Sequence, residues 1–219
     1  MKKNNLFLVS ILIPLLLAGC KSTPKENTEI RGMIFNAENE PVSNAQIFLD
    51  GKKITSSDIY GHFTLEKLVP FKEYSVLASK KGYEDSSIDF DYTNGSQIIY
   101  LRMYSSFELI NLAENSVRQK NYSEAESFLS RAQKTGENTL SIKYLFAVIN
   151  YYKKDYEKSL QYTDELIDEG YTDYYIYLLQ VDSYQNGLND PENAKLKLQA
   201  ALDKKYDPET EKRLKDLNK

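Results

Sequence analysis

The chain has no tryptophan, a single histidine (His62) and a single cysteine (Cys20), and only nine glycines and six prolines in 219 residues. Each shortage removes a class of function. One cysteine cannot form an internal disulfide. One histidine without a second His or Cys cannot build the usual nitrogen and sulfur metal set or a His-based acid–base pair. The sequence holds no G-x-S-x-G, no phosphate-binding P-loop and no H-E-x-x-H. It therefore reads as non-enzymatic, with no metal or organic cofactor. Basic residues are not clustered and the net charge is −4, which argues against nucleic acid, since phosphate binding needs grouped Lys and Arg. Beyond residue 18 no apolar run is long enough to cross a bilayer, which takes about 20 residues.

What is present begins with "MKKNNLFLVSILIPLLLAGC". Lys2 and Lys3 precede an apolar stretch from Leu6 to Ala18, too short to span and followed by small residues, the pattern of a secretory leader. Its end, Leu17-Ala18-Gly19-Cys20, resembles the lipobox of bacterial lipoproteins. The resemblance implies removal of residues 1–19 and a diacylglycerol on the Cys20 thiol, with further acylation (palmitate or similar) of the new amino terminus. More than one chain is needed, because a single acyl chain binds a membrane with only about 10⁴ M⁻¹. Residues 20–28, "CKSTPKENT", are the lipidated cysteine and a polar, flexible tether. Without Lys2 and Lys3 the mature chain has 26 basic and 32 acidic side chains, a net charge of −6. The implied location is the bacterial cell envelope. Lys21 rather than Asp after the cysteine favours the outer membrane in a Gram-negative cell.

Residues 29–103 alternate short β-rich runs with turn residues, about seven strands in all. "EIRGMIF" places Ile30, Gly32 and Ile34 on one face, and "DGKK" and "TNGS" are turn signals. Gly32, Pro41-Val42, Ala45, Ser57-Asp58, Gly61, Phe63 and Gly82-Tyr83 together resemble the carboxypeptidase regulatory-like domain. That resemblance implies a small antiparallel, transthyretin-like β-sandwich, an accessory module without chemistry of its own. Another Ig-like module is the alternative fold.

After Arg102 the period changes to that of helices, with Leu109, Leu112, Ala113 and Ser116 on one face. The linker "MYSSF" has no Gly or Pro, so the two domains are expected to join stiffly. Tyr122 to Tyr156, Ala125 to Ser159, Ala132 to Leu166 and Ala113 to Ala147 are each 34 residues apart, and Ser159 to Ala194 is 35. Ala194 to Ala201 repeats the spacing of Ala125 to Ala132. A 34-residue period with small residues at fixed positions resembles the tetratricopeptide repeat (TPR). About three repeats over 106–205 are expected, with an insertion near "NGLNDPEN" and a capping helix over 206–219. Lys143 and Leu166 depart from the usual residue types at their positions. Asp190-Pro191 and Asp207-Pro208 are helix starts. The expected architecture is thus multidomain β + α, a small sandwich followed by a helical solenoid.

The TPR resemblance implies a concave groove that binds an extended protein segment. Mapped onto this chain, its lining is Phe107, Ile110, Glu114 and Arg118, then Tyr144, Val148, Tyr151 and Tyr152, then Tyr175, Asp182 and Gln185. Tyrosines are the favoured contacts, combining large area with a polar tip. The expected function is a membrane-anchored adaptor for an unidentified envelope protein or peptide. The alternative is a glycan-binding lipoprotein whose ligand module is the β-sandwich. "DFDYTNG" begins like a calcium loop but has Asn94 where Gly is needed and Tyr100 where Glu is needed. "DELIDEG" reads as a solvated helix face.

Overall fold

The computed structural model describes residues 28–218; the leader, Cys20 and the tether as far as residue 27 lie outside the described residues. Seven strands come first: β1 (Ile30–Phe35), β2 (Gln46–Leu49), β3 (Lys52–Ser56), β4 (His62–Leu65), β5 (Lys72–Ser79), β6 (Ser86–Tyr92) and β7 (Ile98–Arg102). They form two sheets, ordered β4-β1-β7 and β3-β2-β5-β6. The expectation of an all-antiparallel arrangement needs one correction. β1 and β7 pair in parallel, Arg31 against Ile98 through Phe35 against Arg102. A parallel pair needs a long crossover, and here the rest of the domain is the crossover. "TNGS" likewise does not close a hairpin, since β6 and β7 lie in different sheets. "DGKK" does: Asp50 and Gly51 both have positive φ (50° and 77°), as a two-residue turn that follows strand twist requires.

Both sheets face one core. Alternate residues turn inward: Ile30 and Ile34, Ile47, Phe63 and Leu65, Val76 and Ala78, Ile99 and Leu101. Burying each large side chain contributes about 1.5–3 kcal/mol. The register sets Gly32 opposite Phe63. The ring lies over the glycine, and a Cβ there would stand 2.0 Å from it. Ser57 is buried, donates to the Val42 carbonyl (2.7 Å) and accepts from the Ala45 amide (2.9 Å). Asp58 then gathers the Tyr60 and His62 amides at 2.8 Å each. The "SD…G-x-F" pattern is therefore a loop-locking device. Asp89 and Asp91 sit on the solvent side of β6, as strand alternation gives. His62 is an exposed strand residue near Asp58.

Seven helices follow: α1 (Ser106–Arg118), α2 (Tyr122–Lys134), α3 (Thr139–Tyr152), α4 (Tyr156–Asp168), α5 (Tyr174–Ser183), α6 (Pro191–Lys204) and α7 (Pro208–Leu217). They pack as antiparallel hairpins α1–α2, α3–α4 and α5–α6, each on the next, with α7 on the last. Ala113, Ala125, Ala132, Ala147, Ala194 and Ala201 are all fully buried, as close helix approach demands, and Leu166 shares their interior position. The repeat is written in the backbone too. Lys120 and Lys154, 34 apart, both take left-handed φ (61° and 65°), and so does Asn189 after a further 35. The extra residue is absorbed by a π-helical turn, Tyr184–Leu188, at the end of α5. Gly187 lies in that turn against the Tyr156 ring, where a Cβ would come within 2.2 Å.

The joint between the two parts is ordered. Ser105 caps α1, and Glu108 returns the bond to the Ser105 amide (2.7 Å) while its other oxygen accepts from the Ala37 amide (2.9 Å). The Glu84 amide donates to Tyr104 and the Ser106 amide to Gly82, both at 2.9 Å. Arg131 of α2 forks onto Glu84 at 2.9 and 2.6 Å, with its guanidinium over the Tyr104 ring. A bidentate fork fixes orientation as well as distance.

Candidate binding cleft

Three helices, α1, α3 and α5, are the first members of their hairpins. Between them opens a cleft of about 460 Å³. Leu140, Ser141, Tyr144 and Leu145 line it from α3, Tyr175 and Ile176 from α5, Glu114 from α1, Leu166 from α4, and Tyr171 and Asp173 from the α4–α5 loop. Gly170 has φ 92°, which turns the chain so that Tyr171 and Asp173 reach this side. Asp173 caps α5 by accepting from the Tyr175 amide at 2.8 Å. Tyr175 remains 57% exposed, edge-on to Tyr174.

The cleft combines apolar walls with carboxylates. Burial and then the Asp173 charge, together with Tyr152 and Tyr175, raise the Tyr144 phenol above its ordinary range, so it stays a neutral donor. Asp173 faces no basic partner among the ion pairs of the described residues, and Glu114 meets Arg118 only at 3.4 Å. Lys143 is turned away: Glu165 of α4 and Glu169 just past its end hold its ammonium, raising its pKa chiefly through the Glu169 bond. This accounts for a lysine at a position where the repeat pattern has an aromatic residue.

The residues expected to line a groove divide. Glu114, Tyr144 and Tyr175 meet at the cleft. Arg118 lies one turn beyond Glu114, bonded to it and to Asn115. Val148 is half-buried along α3. Tyr151 and Tyr152 lie further along α3 and do not line the cleft, although Tyr152 is near enough to act on the Tyr144 phenol and is 54% exposed. Tyr152 stacks on Tyr122 at 5.9 Å and 5°. Tyr151 packs edge-on to Tyr152 and Tyr156, and its hydroxyl accepts from Asn186 at 3.1 Å. Asp182 and Gln185 are engaged by Arg213 of α7, so the closing helix covers the groove positions of the third hairpin. Ile110 is buried, and Phe107 is exposed at the β-domain end of α1. Leu140, Ser141, Leu145 and Ile176 line the cleft from α3 and α5 but are not among the positions that the repeat resemblance maps, and Tyr171 and Asp173 lie in a loop that a helical wheel does not include. The signal was Gly170 repeating Gly136 at 34 residues, both with left-handed φ. Among the described residues no group of acidic, His or Cys side chains is placed to hold a metal ion, and no helix is long and apolar enough to cross a membrane.

No protein-family model matches the chain, and no curated protein does. Solved structures do. The N-terminal domain of stress-induced protein-1 (STI-1) from C. elegans is 20% identical, with a TM-score of 0.46, over 52% of this chain and 94% of that one. MamA, residues 41 to the end, from Desulfovibrio magneticus RS-1 is 17% identical, with a TM-score of 0.46, over 52% of this chain and 64% of that one. A MamA RS-1 double mutant gives 18% and 0.45 over the same shares. At these values no residue role passes from those proteins to this one.

Proposed function

We propose that the protein is a non-enzymatic adaptor of the bacterial cell envelope, held to a membrane by lipid on Cys20, whose TPR-like hairpins bind an extended segment of a protein partner. The observation that carries this is the cleft between α3 and α5, where Tyr144, Tyr175 and Tyr171 offer broad amphipathic surfaces beside the Asp173 and Glu114 carboxylates. Rigid tyrosines give contact area at low entropy cost. The carboxylates favour a segment that pairs an apolar side chain with Lys or Arg, since complementary charge sets specificity and approach rate. The β domain, on this reading a transthyretin-like sandwich, stands between anchor and cleft. In-cell crosslinking with mass spectrometry tests the proposal. A protein linked to the lysines nearest the cleft, and lost in Tyr144→Ala/Tyr175→Ala, supports it. No protein linked there, or links confined to residues 29–103, contradicts it and favours the glycan-binding alternative, which a glycan array then examines.

A further inference from the structure

The strand registers give the β domain two distinct ends. β1 and β7 run parallel, so both start at one end and finish at the other. α1 follows β7, and the helices are bonded to Ala37, Gly82 and Glu84 at the finishing end. Thr28 lies at the starting end, where its carbonyl accepts from the Leu68 amide at 2.9 Å. Cys20 is eight residues before Thr28, a reach of at most about 27 Å.

That same end carries the loop between β4 and β5, and two of its apolar side chains are turned out. Phe71 is 88% exposed and Val69 58%. The loop is pinned beneath them. The Phe71 amide donates to Tyr92 at 2.7 Å, the Val69 amide to the Tyr74 hydroxyl at 2.9 Å, and Leu68 is buried in the core. Phe71 has φ 62°, a left-handed backbone that is unusual for an aromatic residue and that the surrounding bonds maintain. A fixed loop holding a strained phenylalanine in water is not explained by packing. Glu66, Lys67, Lys72 and Glu73 around it balance in sign, so charge does not recruit a partner.

We infer that Val69 and Phe71 are a membrane-contacting tip: the end of the β domain nearest the lipidated Cys20 rests on the bilayer, its two apolar side chains enter the headgroup and acyl boundary, and the cleft is held on the far side. This rests on the lipid-anchored reading above. The tip adds a second contact beside the acyl chains and fixes which way the cleft faces, whereas a tether alone leaves the body free to tumble.

The absence of tryptophan provides the test. Phe71→Trp and, separately, Phe107→Trp are made in the full chain, which is expressed in bacteria, purified, weighed by intact mass for its lipid and reconstituted in phosphatidylcholine vesicles with brominated acyl chains. The indole of Phe71→Trp is expected to shift to the blue and to be quenched several-fold more than that of Phe107→Trp at the helical end. In the unlipidated Cys20→Ser chain, Val69→Ser/Phe71→Ser is expected to lower binding to the same vesicles about tenfold or more. Equal quenching at both positions, or none at 71 in a chain whose intact mass shows the lipid, overturns the tip and leaves the anchor standing. A chain without lipid but with quenching at 71 overturns the anchor alone. A chain without lipid and without quenching overturns both.

Discussion

The two ends of α3 carry the same kind of residue to different ends. Tyr144 lies toward its start and Tyr151 and Tyr152 at its finish; Tyr151, seven residues on, is on nearly the same face, and Tyr152 is its neighbour. At the start, the neighbours are Tyr171, Asp173 and Tyr175, which leave an open cleft. At the finish, Tyr122, Tyr156 and Asn186 meet the tyrosines with ring contacts and a hydrogen bond, though Tyr152 is still 54% exposed. What a tyrosine does here is set by the elements across from it rather than by its place on its own helix.

The largest expected effect that separates the two ends is on binding. Tyr144→Ala and Tyr175→Ala should each weaken partner capture by about 2 kcal/mol, roughly thirtyfold, as central aromatic contacts do. Circular dichroism should show both variants folded, because Tyr175 is exposed and Tyr144 only half-buried. The opposite end should answer in stability. Gly187→Ala drives a Cβ against the Tyr156 ring and should cost about 1–3 kcal/mol in denaturant unfolding, with capture unchanged. Tyr152→Ala removes one stacked pair and should cost about 0.5–1.5 kcal/mol by the same measurement.

The smallest effect is alkaline. Folding holds the Tyr144 phenol above its ordinary pKa, burial being the first cause. The stability tied to its neutral form is therefore complete below the unfolded value and declines as pH rises from there through the folded value. Tyr144→Phe should flatten part of that fall above about pH 10, read from denaturation midpoints across pH. An unchanged slope would mean that this hydroxyl is as wet as in the unfolded chain.

Much of the frame was legible because it depends on local rules. The alanines recurring every 34 residues are buried wherever two helices approach, and the Asp-Pro pairs start α6 and α7, with Asp190 and Asp207 accepting from the amides of Asn193 and Thr210. Gly61 and the Asp50-Gly51 turn have the positive φ that their residue types suggest. What was not legible depends on partners distant in sequence. The parallel pairing of β1 with β7 joins strands some 67 positions apart, Arg31 with Ile98, and no local pattern encodes it. The π-helical turn appears in sequence only as one extra residue. The occupation of Asp182 and Gln185 by Arg213 depends on where α7 closes the stack. Of the tyrosines assigned to a groove by periodicity, Tyr151 and Tyr152 make contacts with α2, α4 and the π turn rather than lining the cleft, while Tyr171 and Asp173 enter from a loop outside that periodicity.

The most direct measurement compares two double variants in one crosslinking experiment in cells. The account predicts that Tyr144→Ala/Tyr175→Ala loses the partner crosslinked beside the cleft, whereas Tyr151→Ala/Tyr152→Ala keeps it at equal cellular abundance. Loss in the second variant with retention in the first would contradict the account and move the binding surface to the finishing end of α3.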